Sequence, residues 1–198
     1  MDPPPRVARI IVRMSLRRRP LLGVLALVLA LAGVVYFVGC GPAKRPDGGE
    51  GLLPLGASAP DVAARDAADV EVRLSSLRGR PVVVYFYPAD GTPGCTKEAC
   101  AFRDTWARFE AAKVGVIGVS SNSLSSHKDF QKEQHLPFPL ASDEQGTIGA
   151  AYGVSKKVWG YDRVTFLVDK QGKIAKVWPS VDPGVHAEEV LAAASSLP

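Results

Sequence analysis

Two cysteines lie five positions apart in the stretch YFYPADGTPGCTKEAC, from Tyr85 to Cys100, and the 198-residue chain has only three cysteines in all. Their spacing is not the C-x-x-C of a zinc ribbon or of a thioredoxin-type redox pair. Cys95 follows a loop rich in proline and glycine that leads from an apolar run into a helix. The start of a helix presents unpaired N–H groups and the positive end of the helix dipole. An anion is favoured there, so a reactive thiolate at Cys95 is expected in preference to an inert, buried apolar cysteine. Cys100 adds a geometric condition. Ideal helix parameters put residues i and i+5 about 8.5–9 Å apart at Cα, whereas a disulfide needs about 4.4–6.8 Å. Cys95 and Cys100 cannot both be helical and bonded, so a bond between them requires the first turns of the helix to unwind. That suits a redox couple with two shapes better than a structural staple.

The elements that must position these cysteines follow from pattern. VEVRLSSLRG reads as a short strand and turn, and PVVVYFY, Pro81 to Tyr87, as a strand buried on both faces. A helix is expected from near Cys95 through TKEACAFRDTWARFEAA, followed by a second buried strand, VGVIGVSS, at Val114 to Ser121. Ser125 or Ser126 is placed to cap a helix through HKDFQKEQH that ends before Pro137. A shorter helix around EQGTIGAAYG comes next. RVTFLVDKQGKIAKVW then reads as a hairpin with its turn at Lys170 to Gly172, and GVHAEEVLAAASSL as an amphipathic helix. Strands alternating with helices, closed by a hairpin and a helix, predict an α/β domain with a central mixed sheet flanked by helices.

Charge divides the chain. The residues before Cys40 hold six Arg and one Asp, about +5, against +4 for the whole chain, which leaves the remainder near −1. The body has no basic stripe interleaved with aromatics, so a nucleic-acid partner is not expected. The basic cluster precedes PLLGVLALVLALAGVVYFVG, Pro20 to Gly39, an uncharged run about as long as the roughly 20 residues that span a bilayer. Arg13, Arg17, Arg18 and Arg19 ahead of it predict an extracytoplasmic body, on the periplasmic or cell-surface side. FVGC, Phe37 to Cys40, resembles a bacterial lipobox, which makes Cys40 a candidate for lipidation after cleavage; an uncleaved single-span anchor is the alternative. Either way the domain is expected to be membrane-tethered. The expected organisation is a basic, hydrophobic signal or anchor at residues 1–40, a Gly- and Pro-rich flexible linker at 41–56, and a folded domain at 57–198.

At Cys95 a family resemblance becomes specific. PADGTPGC, Pro88 to Cys95, matches the Pro-x-x-x-Thr-x-x-Cys signature of the peroxiredoxins, and YFYPADGTPGCTKEACAFRD resembles the bacterioferritin comigratory protein, or peroxiredoxin Q, subfamily. The likeness continues through VIGVSSNSLSSHKDF, LPFPLASDEQGTIGAAYGV and RVTFLVDKQGKI. It implies a thioredoxin-like fold and a thiol peroxidase that reduces hydrogen peroxide and organic hydroperoxides without a cofactor or metal. By the same resemblance Cys95 is the peroxidatic and Cys100 the resolving cysteine. Thr92 supplies a hydroxyl to thiolate and substrate, Pro88 shapes the pocket, Arg163 holds the thiolate and polarises the peroxide, and Glu98 orients the arginine. A Cys95–Cys100 disulfide would be reopened by a thioredoxin-like or other dithiol reductant, and a monomer is expected.

Taken alone, Arg163 reads as a solvated charge at a strand start and Thr92 as an ordinary turn residue. His127, His135 and His186 share no ligand spacing and read as exposed polar positions. Two rival classes are membrane-tethered as well. A copper chaperone would use two cysteines and a distal His186, but resembles C-x-x-x-C and has no need of Thr92. A thiol–disulfide oxidoreductase of cytochrome maturation would carry a C-x-x-C that is missing here.

Overall fold

In a computed structural model the structure describes residues 44–198. The expected anchor and Cys40 lie outside these residues, and no helix among the described residues is long and apolar enough to cross a membrane. In chain order the elements are β1 (Ala63–Arg65), β2 (Glu71–Arg73), a 3-10 turn (Leu74–Leu77), β3 (Val82–Phe86), α1 (Pro93–Asp104), α2 (Trp106–Ala111), β4 (Gly115–Ser120), α3 (Leu124–Gln134), β5 (Leu140–Ser142), α4 (Thr147–Tyr152), β6 (Lys156–Lys157), β7 (Gly160–Tyr161), β8 (Val164–Val168), β9 (Ile174–Trp178) and α5 (His186–Ser195).

The main sheet has the order β2-β1-β5-β4-β3-β8-β9. Its centre, β5-β4-β3, is parallel, while β8 and β9 on one side and β1 and β2 on the other are antiparallel to their neighbours, so the sheet is mixed as expected. Every residue of β3 is buried because both faces are covered. Val83, Tyr85 and Tyr87 point into a core shared with Phe102 of α1, Phe109 of α2, Phe130 of α3 and Val190 of α5. The alternate residues Val82, Val84 and Phe86 enter a second core with Tyr152 of α4, Tyr161 and Phe166. Burying a side chain such as Phe86 or Phe102 contributes about 1.5–3 kcal/mol each, so the strand that leads to Cys95 is anchored from both sides. Gly118 of β4 has no room for a side chain: an added Cβ would lie 2.6 Å from Leu140 Cδ2 and 2.8 Å from Tyr85 Cζ.

Several local expectations need correcting. The helix after the cysteine loop starts at Pro93, two residues early, and breaks at Thr105, whose φ of −94° and ψ of 0° end α1 and start α2. The cap of α3 is Ser123, which accepts from the Ser126 N–H at 3.3 Å, and neither Ser125 nor Ser126 serves. Strands β1 and β5 and the β6–β7 hairpin were not anticipated, being only two or three residues long. From Lys44 onward the expected flexible linker is seated on the domain. Leu53 is buried and its N–H donates to the Tyr152 carbonyl, the Gly56 N–H donates to Ile174, and Arg45 Nη1 donates to the carbonyls of Glu50, Gly51 and Leu52. Composition alone had hidden the apolar anchor at Leu53.

Candidate active site

β3 ends at Phe86, and the chain crosses a short loop into α1. Pro93 occupies the first helical position, where its missing N–H would have had no helical partner. Thr92 stands at the N-cap with extended dihedrals, but its side chain does not cap the helix; Oγ1 donates to the Ala89 carbonyl at 3.1 Å. Cys95 therefore falls in the first turn of α1, and it is buried. Arg163 reaches it through strand register. β3 and β8 are antiparallel with Phe86 opposite Val164, which puts Arg163, the residue before β8, at the end of β3 where the cysteine loop departs. There Arg163 Nη2 donates to Cys95 Sγ at 3.3 Å.

Glu98 stands three residues after Cys95, on the same face of α1. Its Oε2 accepts from Arg163 Nη1, so one guanidinium forks between sulfur and carboxylate. Glu98 is completely buried and its Oε1 has no hydrogen-bond partner, and the buried Tyr85 hydroxyl has none either. Burial dominates and pushes the Glu98 carboxyl up to about 7, against the opposing charge and hydrogen bond of Arg163. Arg163 is held in its charged form. Burial works against that charge, but the negative charge of Glu98 and the hydrogen bond to Cys95 more than offset it.

The loop before Cys95 is fastened by a polar network that sequence reading missed. Asp90 Oδ1 accepts from the Tyr87 hydroxyl at 2.7 Å, and Oδ2 accepts from Ser126 Oγ at 2.6 Å and faces His127 Nδ1 at 2.9 Å. The Asp90 N–H donates to Asn122 Oδ1, and His127 Nε2 lies 3.2 Å from the Ala141 carbonyl. Burial opposes ionisation of Asp90, yet its hydrogen bond to His127 and the charge there keep it below the ordinary carboxylate range. Apart from Tyr87, the partners of Asp90 are 30 or more residues away in sequence, so no local spacing announces them. On the loop's other flank, Gly160 packs against Pro88. With φ at +112° and an imaginary Cβ only 1.9 Å from the Pro88 oxygen, the position admits only glycine.

Cys100 is half-buried on α1, with Sγ 3.6 Å from Gln134 Oε1 at the end of α3, and Arg103 Nη1 donates to the Gln134 carbonyl at 2.8 Å. Cys95 and Cys100 are free thiols on one continuous helix. The structure thus brings Cys95, Glu98 and Arg163 together, places Thr92 and Pro88 in the loop beside them, and keeps Cys100 turned toward α3. The expectation for the histidines holds only for His135, an exposed left-handed cap of α3. His127 and His186 are buried. His186 Nε2 lies 2.8 Å from Thr165 Oγ1, between the rings of Phe102 and Trp178, and burial above all pushes its pKa down to about 4. Among the described residues no three His, Cys, Asp or Glu side chains gather as a metal-binding group, and His186 is engaged with a hydroxyl.

Comparison with known proteins gives the family of the chain. The model of the AhpC/TSA family matches residues 55–177, more than half of the chain. A putative peroxiredoxin bcp of Coxiella burnetii is 46% identical over 125 residues, covering 60% of this chain and 83% of that protein. The chloroplastic peroxiredoxin Q of Oryza sativa subsp. japonica is 43% identical over 150 residues, 74% of this chain and 69% of that protein. Among solved structures, peroxidoxin BcpB of Mycobacterium tuberculosis superposes with a TM-score of 0.68 at 34% identity, covering 74% of this chain and 99% of that one. The bacterioferritin comigratory protein of Xanthomonas campestris, studied for alkyl peroxide reduction, gives 0.66 at 32% identity over 74% of this chain and 98% of its own. Fold, cysteine site and relatives converge: the chain belongs to the AhpC/TSA family, as a thioredoxin-fold peroxidase of the bacterioferritin comigratory protein and peroxiredoxin Q kind.

Proposed function

We propose that the protein reduces hydrogen peroxide and organic hydroperoxides to water and alcohols through Cys95, with Cys100 as the resolving thiol. The observation that carries this reading is the Arg163 Nη2 contact to Cys95 Sγ at 3.3 Å in the first turn of α1. The Cys95 thiolate attacks the terminal peroxide oxygen, the O–O bond breaks, and the departing hydroxide or alkoxide takes up a proton. Negative charge moves from sulfur to oxygen as this happens. A fixed guanidinium and the first N–H groups of α1 can follow it without reorganising, which is the arrangement that lowers such a barrier. In this reading Glu98 keeps the guanidinium aimed, Thr92 turns its hydroxyl from Ala89 to the substrate, and Pro88 closes the pocket wall.

The product is a sulfenic acid on Cys95. It condenses with Cys100 to a disulfide and water, and a thioredoxin-like or other dithiol reductant reopens the bond by exchange. The basic cluster and apolar run at residues 1–40 support a membrane-tethered enzyme, lipidated at Cys40 or held by an uncleaved span, with its catalytic domain outside the cytoplasm. The decisive experiment treats the reduced protein with one equivalent of hydrogen peroxide. Wild type should consume it and lose two hydrogens in mass, with Cys95 and Cys100 joined in the peptide map. Cys95→Ser should leave the peroxide untouched; if that variant turns over at the wild-type rate, the reading is wrong.

A further inference from the structure

Glu98 lies between the two cysteines on α1 and is the most deeply buried charged group of that helix, with no exposed surface at all. While α1 is intact the cysteines cannot meet, because residues five apart on a helix stand about 8.5–9 Å apart at Cα. Any unwinding that brings Cys100 to Cys95 must carry the intervening residues, Glu98 among them, through a new path. We propose that Glu98 gates the resolving step: unwinding carries a fully buried carboxyl, whose Oε1 has no partner in the folded helix, out into water, so a proton on Glu98 holds α1 closed and loss of that proton releases it. This rests on the Cys95–Cys100 chemistry proposed above and assigns Glu98 a part in the second half of the cycle, beyond aiming the arginine. In the gated step Cys100 Sγ attacks the sulfenic sulfur of Cys95, the S–O bond breaks, and the hydroxide leaves with the Cys100 proton as water. No external electron donor is consumed there.

The surroundings of Glu98 make it the group that titrates. From the start of β8 it faces Arg163, which stays charged; from β3 it faces Tyr85, whose hydroxyl burial, followed by the charge of Glu98, pushes well above its ordinary range. His186 of α5, which shares the field of Arg163, is kept neutral above about 4 by burial. Cys95 is the other titratable neighbour on α1. Inside the folded helix one carboxylate oxygen has Arg163 and the other has nothing, and the carboxyl rises from 4.5 to about 7. Once unwound into water it regains its ordinary acidity. Opening is then linked to release of one proton. Its equilibrium constant should rise about tenfold per pH unit from 4.5 toward 7 and level off near 300-fold overall. Elements that must move in function belong to the less stable part of a fold, and here the instability is switchable.

Amide hydrogen exchange tests the gate without the redox chemistry. In a Cys95→Ser background, where no Cys95–Cys100 bond can form, protection of the amides from Thr96 to Phe102, corrected for intrinsic exchange, should fall about tenfold per pH unit between pH 5 and 7 and flatten by pH 8. Adding Glu98→Gln, or Glu98→Met as a second neutral variant, should make the profile flat, while the α5 amides stay unchanged throughout. A flat profile with Glu98 present, or an unaltered slope in both variants, overturns the proposal. In the otherwise wild-type protein, the rate of disulfide formation after one equivalent of peroxide should exceed that of Glu98→Gln by a ratio that grows with pH up to about 7. A disulfide that forms with a constant ratio overturns the gate alone. Absence of any Cys95–Cys100 bond overturns the catalytic cycle and the gate with it, even if the exchange slope survives.

Discussion

Replacing Glu98 by Gln and His186 by Asn, one at a time, should uncover two opposite pH dependences of global stability that cancel in the wild-type protein. Glu98 has a folded-state pKa of about 7 against an ordinary 4.5. A raised pKa means that its contribution is fully present below 4.5 and is lost as pH climbs toward 7. His186 is the reverse case, lowered to about 4 from 6.5. Its contribution is present above 6.5 and is lost as pH falls toward 4, because the unfolded chain takes up the proton that the buried ring refuses. Both side chains are buried, so solvent screens neither contribution strongly. Each slope is about 1.4 kcal/mol per pH unit, or about 3 kcal/mol over its range, a large fraction of the 5–15 kcal/mol that holds a typical domain together. Between pH 4.5 and 6.5 the folded protein gains one proton at Glu98 and forgoes one at His186, so these two terms cancel. Urea titrations at half-unit steps from pH 4.5 to 7.5 measure the outcome. Relative to wild type, Glu98→Gln should gain stability with rising pH up to about 6.5, and His186→Asn should lose it. The lowered carboxyls of Asp61, Asp69 and Asp90 act alike in all three proteins and drop out of the differences. If either variant runs parallel to wild type across this window, the burial argument for that residue fails.

Arg163→Met should lower the second-order rate constant for peroxide on the order of 100-fold, by loss of a preorganised donor. The same variant should be destabilised more at pH 8 than at pH 5, because Glu98 keeps a buried charge without its cation only when ionised; stopped-flow rates and urea midpoints test the two halves, and a rate change below twofold would remove Arg163 from the site. Gly160→Ala forces a Cβ into the Pro88 carbonyl and strains a positive φ. It should cost about 1–3 kcal/mol of stability and, by shifting the loop, on the order of 100-fold in peroxide rate constant; an alanine variant with wild-type kinetics would show that the loop position is not critical. Deleting residues 1–41 should give a soluble protein with undiminished peroxidase rate, checked by gel filtration and turnover, and a deletion that fails to fold would refute the anchor reading.

Much of the site can be read along the chain because its logic is local. β-branched and aromatic residues at 82–86 make a strand buried on both faces, a proline- and glycine-rich loop runs into a helix near Cys95, and five-residue spacing forbids a helical disulfide; each follows from backbone geometry within a few residues. The signature around Cys95 needs nothing more distant. Arg163 is different. Its type and order in the chain match the family, but by composition it was a surface charge, and only the antiparallel register that sets Phe86 against Val164 brings it to the sulfur. Burial of Glu98, His127 and His186 was likewise invisible, since polar residues on short helices look solvated until other elements pack over them. The Asp90–His127 fastening joins residues 37 positions apart. Strands β1 and β5 are only three residues each and exist because neighbouring strands offer them hydrogen bonds, not because of any pattern of their own. Propensity and periodicity act over a turn or a pleat. Which charged group ends up dry, and beside what, is decided by strand pairing and packing between segments far apart in the chain.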